Sequence, residues 1–268
     1  MTRLHHLRLT SLRLLACALL LSPFAVCAEE IVFVNDASPY CPFTVCEDGK
    51  DGYVTDIVNA IYKDAGYSVR ILNVPWNRAI AMVKDGSALG IINIAKKTAP
   101  ALIFPHAEVA RYNAVFFTRK SNPWVYNGLD SLKGRRLGLI KNYSYGENSP
   151  PLASFLKNSA DSVDWFGGLN PLADIFRAID SGSVDATVED LAVGNYVLKK
   201  AGEADKFKVA GYVAKSEPVI GYVAFTNKNF KSQHLADVFD QGIVKLRKSG
   251  RLKTILADYG LTGWVQLM

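Results

Sequence analysis

The chain is short of histidine, cysteine and methionine, and the first two shortages each remove a class of chemistry. It has four histidines in 268 residues. His5 and His6 lie at the extreme N-terminus, which leaves His106 and His234, far apart in the sequence. A zinc site needs three or four nitrogen or sulfur ligands in tight spacing, so no metal site is expected. A Ser-His-Asp hydrolase would have to use His106, which follows "IFP", or His234, which falls in the first turn of a helix-like segment; both read as surface residues. The patterns G-x-S-x-G, H-E-x-x-H, Walker and G-x-G-x-x-G are all missing, and no cofactor is expected. Long apolar runs are missing beyond the N-terminus, where a spanning helix would need about 20 such residues.

The N-terminus sets the expected compartment. "MTRLHHLRLTSLR" contains Arg3, Arg8 and Arg13 and no acid, and "LLACALLLSPFAVCA" follows as an apolar run broken by Pro23 and ending in small residues. That order predicts a secretory signal peptide over residues 1–28, cleaved after Val26-x-Ala28, and a periplasmic mature protein. "LLAC" at Cys17 faintly resembles a lipoprotein processing site, but the apolar segment continues past it. Losing three arginines and no acid lowers the formal charge from +6 to +3. So small an excess argues against a nucleic-acid partner, and "KGRR" (133–136) reads as a solvated turn.

Cys17 and Cys27 leave with the signal, and Cys41 and Cys46 remain in "SPYCPFTVCEDGKDGY". An even pair in an exported protein predicts a disulfide, with two reduced, half-buried thiols as the alternative. Closing so short a loop removes little unfolded-chain entropy. The bridge is therefore expected to fix a binding loop more than to stabilise the whole fold.

The body of the chain alternates strands and helices. "EIVFVN", "YSVRILNV" and "ALGIINIA" read as strands, separated by helices over "YVTDIVNAIYKDAG" and "WNRAIAMVKDG" that stop at Gly66 and Gly86. A second series runs from "RRLGLIKN" through "SPPLASFLKNSA", "SVDWFGG", "LADIFRAIDSG" and "VDATVED" to "LAVGNYVLKKAG". Then come "PVIGYVAFTNKN" and two closing helices. The pattern predicts α/β architecture in two units, each a doubly wound sheet flanked by helices. The strand-like runs "AVFFTRK" and "YVAFTNK" are expected to join them. The expected division is lobe one over 29–117, lobe two over 118–224, and a return to lobe one with C-terminal helices over 225–268. Ligands of open α/β sheets bind at the carboxyl ends of the strands, so both lobes would face a shared cleft.

Four stretches in this order resemble the periplasmic solute-binding proteins of ABC transporters, in the family that holds the polar amino acid binders. They are "PFTVCEDGKDGYVTDIVNAI", "VPWNRAIAMVKDGSALGI", "LKGRRLGLIKNYSYGE" and "AIDSGSVDATVEDLAVGNYVLKK", together spanning nearly all of 31–260. The resemblance implies a type II periplasmic-binding-protein clamshell whose first lobe is interrupted by the second and whose two crossover strands act as a hinge. It implies a ligand walled by Phe43, with Trp76 stacking on the other face, and it puts Tyr53 of the opening motif in the ligand-binding set. Backbone groups would come from the loop Asn93 to Lys97. The turn "NYSYGE" would offer Asn142, Tyr143, Ser144 and Tyr145 to an anionic group. Asp190 matches the aspartate that pairs with a ligand ammonium; read from the residues alone, it is equally a helix N-cap, with Glu189 its neighbouring competitor.

One departure bears on the ligand. The family's α-amino acid binders follow the third strand with T-x-x-R, whose arginine grips the α-carboxylate. Here the segment is "IAKKTAPALIFPH", with Pro100 or Ala101 at that place, and Lys96, Lys97 or Arg78 would have to supply the cation. The resemblance thus implies a monomeric, non-enzymatic receptor. It would take a small amino acid-like or organic acid solute and serve an inner-membrane ABC permease or a sensor. The alternative on the same scaffold is a periplasmic enzyme of the cyclohexadienyl dehydratase type, with Asp190 or Glu189 as general acid.

Overall fold

The computed structural model describes residues 28–46, 48–141, 143, 145, 149–213 and 219–261. Ten strands form two separate five-stranded sheets. The first sheet contains β1 (Glu30–Asp36), β2 (Ser68–Val74), β3 (Gly90–Ile94), β4 (Ala110–Tyr112) and β10 (Val219–Phe225), in the order β2-β1-β3-β10-β4. The second contains β5 (Ala114–Arg119), β6 (Leu137–Ile140), β7 (Val163–Phe166), β8 (Ala186–Asp190) and β9 (Phe207–Tyr212), in the order β7-β6-β8-β5-β9. This is the two-lobed, type II α/β fold. Each sheet has a parallel trio, β2-β1-β3 or β7-β6-β8, extended by antiparallel strands. The doubly wound expectation therefore holds for three strands of each lobe, and the remaining two make the sheets mixed.

The helices follow from apolar spacing. In α1 (Tyr53–Asp64) the residues Val54, Ile57, Val58 and Ile61 are buried on one face, and in α2 (Trp76–Asp85) Ala79 and Val83 are. The second lobe adds α3 (Pro150–Asn158), α4 (Pro171–Ser181) and α5 (Leu191–Lys200), and the chain returns to lobe one with α6 (Ser232–Lys248) and α7 (Arg251–Asp258). Strands β6 and β8 are buried at every position, as expected of strands covered by helices on both faces.

The sheet pairing moves the lobe boundaries from where the sequence suggests them. Strand β4 belongs to lobe one and β5 to lobe two, so the first crossing falls at Asn113 rather than after residue 117. The second falls between Val213 and Val219, before β10, rather than after residue 224. The runs "AVFFTRK" and "YVAFTNK" are not bridging strands. Their apolar residues bury within one sheet each, Phe116 and Phe117 in lobe two and Val223 and Phe225 in lobe one.

The short stapled loop has a structural task at the start of α1. The Cys41–Cys46 disulfide is formed, with a Cα–Cα distance of 4.8 Å. Helix α1 has no side-chain cap. Its first N–H groups instead donate to loop carbonyls, Tyr53 to Pro42 at 2.9 Å and Val54 to Phe43 at 3.1 Å. Gly52 makes this approach possible: its φ is 86°, and a Cβ there would lie 2.4 Å from the Phe43 carbonyl oxygen. Gly52→Ala is expected to lower stability by at least ~2 kcal/mol, combining left-handed strain with a backbone clash. Urea denaturation will measure it, and a loss under about 0.5 kcal/mol would show that the loop yields freely.

Candidate ligand-binding site

Between the lobes lies a cavity of about 420 Å³, within the size range of small-molecule sites. Lobe one contributes Ser38, Pro39 and Cys41, which follow β1. Lobe two contributes Ile140 and Tyr143 after β6, the N-terminal turn of α4 with its preceding loop, Glu189 at the end of β8, and one face of α5. The site thus sits at the carboxyl ends of β1, β6 and β8, where the alternation of strand and helix leaves a crevice.

Two adjacent carboxyls close the inner end, and they do different things. Asp190 is the N-cap of α5. Its Oδ1 accepts from the Ala192 and Val193 N–H groups at 2.8 and 3.4 Å. Its Oδ2 accepts from the N–H of Asn113, the crossing residue, at 2.7 Å. Leu191 N–H donates in turn to the Asn113 carbonyl at 2.9 Å. Both oxygens are therefore committed to backbone, and Asp190 does not line the cavity. Successive strand residues point to opposite faces, so Glu189 lines the cavity. It is buried, its Oε1 accepts from the Asp190 N–H at 2.7 Å, and its Oε2 has no hydrogen-bond partner among the described residues.

Burial raises both acids. The Glu189 carboxyl is pushed up to about 8, with the Asp190 charge adding to the rise and one backbone N–H opposing it. Asp190 is pushed up to about 7 against the three N–H groups that favour its charge. Tyrosines surround the pair. Tyr40, Tyr143 and Tyr145 have hydroxyls raised by burial and by Glu189, and so remain neutral hydrogen-bonding groups. Tyr145 Oη accepts from the Ile140 N–H at 2.7 Å.

The other residues singled out in the sequence fall in several places. Phe43 is fully buried beneath Tyr40 (ring centroids 5.4 Å apart), against Tyr53 at 5.4 Å and Tyr112 at 4.7 Å. Tyr53 is equally buried. Trp76 packs with α2 on the opposite face of the lobe-one sheet, in a different apolar cluster from Phe43. Asn93 takes a left-handed φ of 65°, and its Oδ1 accepts from the Tyr112 hydroxyl. Arg78, Lys96 and Lys97 are exposed, Lys96 standing 4.3 Å over the Tyr222 ring. None of these lines the cavity; Tyr143 does, and Cys41 of the staple does. Asn142 and Ser144 lie outside the described residues, as do residues 1–27, over which a signal peptide is expected. His106 and His234 are exposed, as expected.

The reading of the residues named Glu189 only as a competitor. The usable signal was the adjacent acid pair at a strand end, of which strand alternation and helix capping can employ one each. Lys200 and Arg177, at the far side of the cavity, were missed because only the packing of α4 beside α5 brings them there. The stapled loop also reaches lobe two directly: the Tyr196 hydroxyl of α5 donates to Asp48 Oδ2 at 3.2 Å.

The chain belongs to the bacterial extracellular solute-binding proteins, family 3, whose model matches residues 31–262. No curated protein matches it in sequence. Among solved structures it resembles a histidine kinase sensor domain similar to periplasmic binding proteins, at 21% identity and a TM-score of 0.63, covering 88% of this chain and 99% of the other. A structure from work on glutathione import through GshT and the cystine importer TcyBC of Streptococcus mutans aligns at 17% identity and a TM-score of 0.66, covering 90% and 100%. An ancestral arginine-binding protein bound to glutamine aligns at 21% and 0.61, covering 87% and 99%. Among the described residues no helix is long and apolar enough to cross a membrane.

Two outcomes follow from the acid pair. Asp190→Ala should lower stability by roughly 2–3 kcal/mol, through loss of the α5 cap and of the bond to Asn113; urea melts showing under about 1 kcal/mol would contradict the clamp. For pH, the folded Glu189 carboxyl has a higher pKa than its ordinary 4.5. The folded state then binds more protons, so this contribution is fully present below about pH 4.5 and lost as pH rises through about 8. The melting temperature should fall across that window, and Glu189→Gln should flatten the fall. An equally steep profile in the variant would assign the effect elsewhere.

Proposed function

We propose that the chain is an exported, periplasmic solute receptor that closes on a small, amine-bearing polar solute between its lobes. It then delivers the solute to an inner-membrane ABC permease or reports it to a sensor. The observation that carries this reading is Glu189 Oε2, a buried carboxylate oxygen without a partner among the described residues, lining a cavity between two lobes. Burial without a partner holds that carboxyl protonated, and an arriving cationic group would stabilise its charged form. Ligand-driven hinge closure is the motion this architecture uses. The family supports receptor function, and the likeness to a kinase sensor domain keeps sensing beside import. Phe43, Tyr53 and Asn93 pack with Tyr40 and Tyr112 in lobe one rather than at the cavity wall, and Tyr143, which lines the cavity, would contact the solute. Trp76, Arg78 and Lys97 reach it only if the lobes rearrange.

A second reading has its own support. A carboxyl held protonated near neutral pH beside a cavity is what a general acid requires, so Glu189 also suits a dehydratase of the cyclohexadienyl type. The two readings part in one experiment. Purified protein is analysed by mass spectrometry for copurifying solute, then incubated with prephenate-like acids. Recovery of an intact amine-bearing solute, with no turnover, is expected. Release of water and carbon dioxide from the acids, abolished in Glu189→Gln, would replace the receptor reading with the enzyme.

A further inference from the structure

The charged residues that line the cavity are segregated along helix α5. One face of α5 lines it through Val193, Tyr196, Val197 and Lys200, the i, i+3, i+4, i+7 spacing of a single helical stripe. From Val193 to Lys200 the helix rises about 10 Å, at about 1.5 Å per residue. Glu189 stands at the N-terminal end of that stripe, and Lys200 at its C-terminal end with Arg177 of α4 on the same rim. Between them the wall is mixed: Pro39, Ile140, Leu172, Val193 and Val197 are apolar, and Tyr143, Tyr196 and the first turn of α4 are polar.

The two cations differ in their commitments. Arg177 forms an exposed ion pair with Asp174 one turn earlier. Lys200 makes no ion pair among the described residues, although its charge acts on nearby Asp48. An exposed pair contributes at most about 1 kcal/mol, so Arg177 can exchange its partner at little cost.

An α-amino acid does not match this layout. Its ammonium and carboxylate are separated by no more than about 3.5 Å, the span of one residue. With the ammonium at Glu189, its carboxylate would not reach the cations at the far rim, so one α-amino acid cannot use both charged ends. Three residues of extended chain span about 10 Å. The missing arginine after the third strand is then no loss, because the carboxylate does not lie beside the amine.

We propose that the cavity takes an elongated zwitterion, its amine at Glu189 and its carboxylate about 10 Å or more along α5 at Lys200 and Arg177, joined by a connecting chain. This rests on the reading of Glu189 as the amine anchor. The connector is either a short peptide or an alkyl chain; the shared chemistry is the charge separation.

Calorimetric titration tests it with five probes: trialanine, 8-aminooctanoate, alanine, hexylamine and octanoate. The proteins are wild type, Glu189→Gln and the double variant Arg177→Gln/Lys200→Gln, each confirmed folded by circular dichroism. At least one long zwitterion should bind wild type at least tenfold more tightly than alanine, hexylamine or octanoate. Trialanine in front indicates a peptide connector, 8-aminooctanoate an alkyl one. The double variant should lose that advantage over hexylamine while still binding hexylamine normally, and Glu189→Gln should weaken every amine at least tenfold. Alanine binding as tightly as the long probes, with Glu189→Gln still weakening it, would overturn the length inference and leave the amine anchor standing. Amines that bind wild type and Glu189→Gln equally, or no binding by any probe, would overturn both.

Discussion

Burying two neighbouring carboxyls at the end of one strand is the constraint around which this fold is arranged. Neither side chain can turn to solvent, because β8 is covered on both faces. Asp190 meets the constraint with backbone N–H groups from two elements: the first turn of α5 and the crossing residue Asn113. That arrangement fixes three things together. The helix starts where its dipole favours a negative cap, the hinge is tied to lobe two, and the next carboxyl along the strand is turned to the other face. Glu189 is directed into the cavity because Asp190 is held away from it.

The stapled loop gives the opposite jaw comparable definition. It caps α1 with its own carbonyls, covers Phe43 with Tyr40, and extends Asp48 to Tyr196 of the other lobe. A loop with so many separate contacts must hold one shape in all of them, and a short covalent closure restricts it to few alternatives. The expectation that the bridge preorganises a binding surface fits this placement through Cys41, a wall residue of the cavity, rather than through Phe43, which is core.

Much of the fold was legible because local rules agreed with one another. Gly66 and Gly86 marked the ends of α1 and α2 and are left-handed there, and a largely apolar run marked β3. The lobe boundaries were less legible. Strands β4 and β5 form a nearly unbroken extended stretch, and only hydrogen-bond partners reveal that the sheet changes at Asn113. The site was legible by region and not by residue. Family motifs led to the end of β8 and the turn after β6, but which acid faces the cavity depends on strand parity and on capping. The rim cations depend on the contact between α4 and α5, which has no signature in either segment alone.

The division of labour between the two acids also links the site to the hinge. The Asp190 N–H donates to Glu189 Oε1, while the Asp190 carboxylate accepts from Asn113. One residue therefore touches the cavity acid through its backbone and the crossing strand through its side chain. Burial raises both carboxyls, and the Asp190 charge adds to the rise at Glu189. On the proposed reading, a cation at Glu189 meets the cavity acid without displacing the bonds that Asp190 accepts from Asn113, Ala192 and Val193. An aspartate that met an ammonium itself would have to divide its oxygens between ligand and hinge, whereas on the proposed reading Glu189 takes the ligand and Asp190 keeps the hinge contact in full.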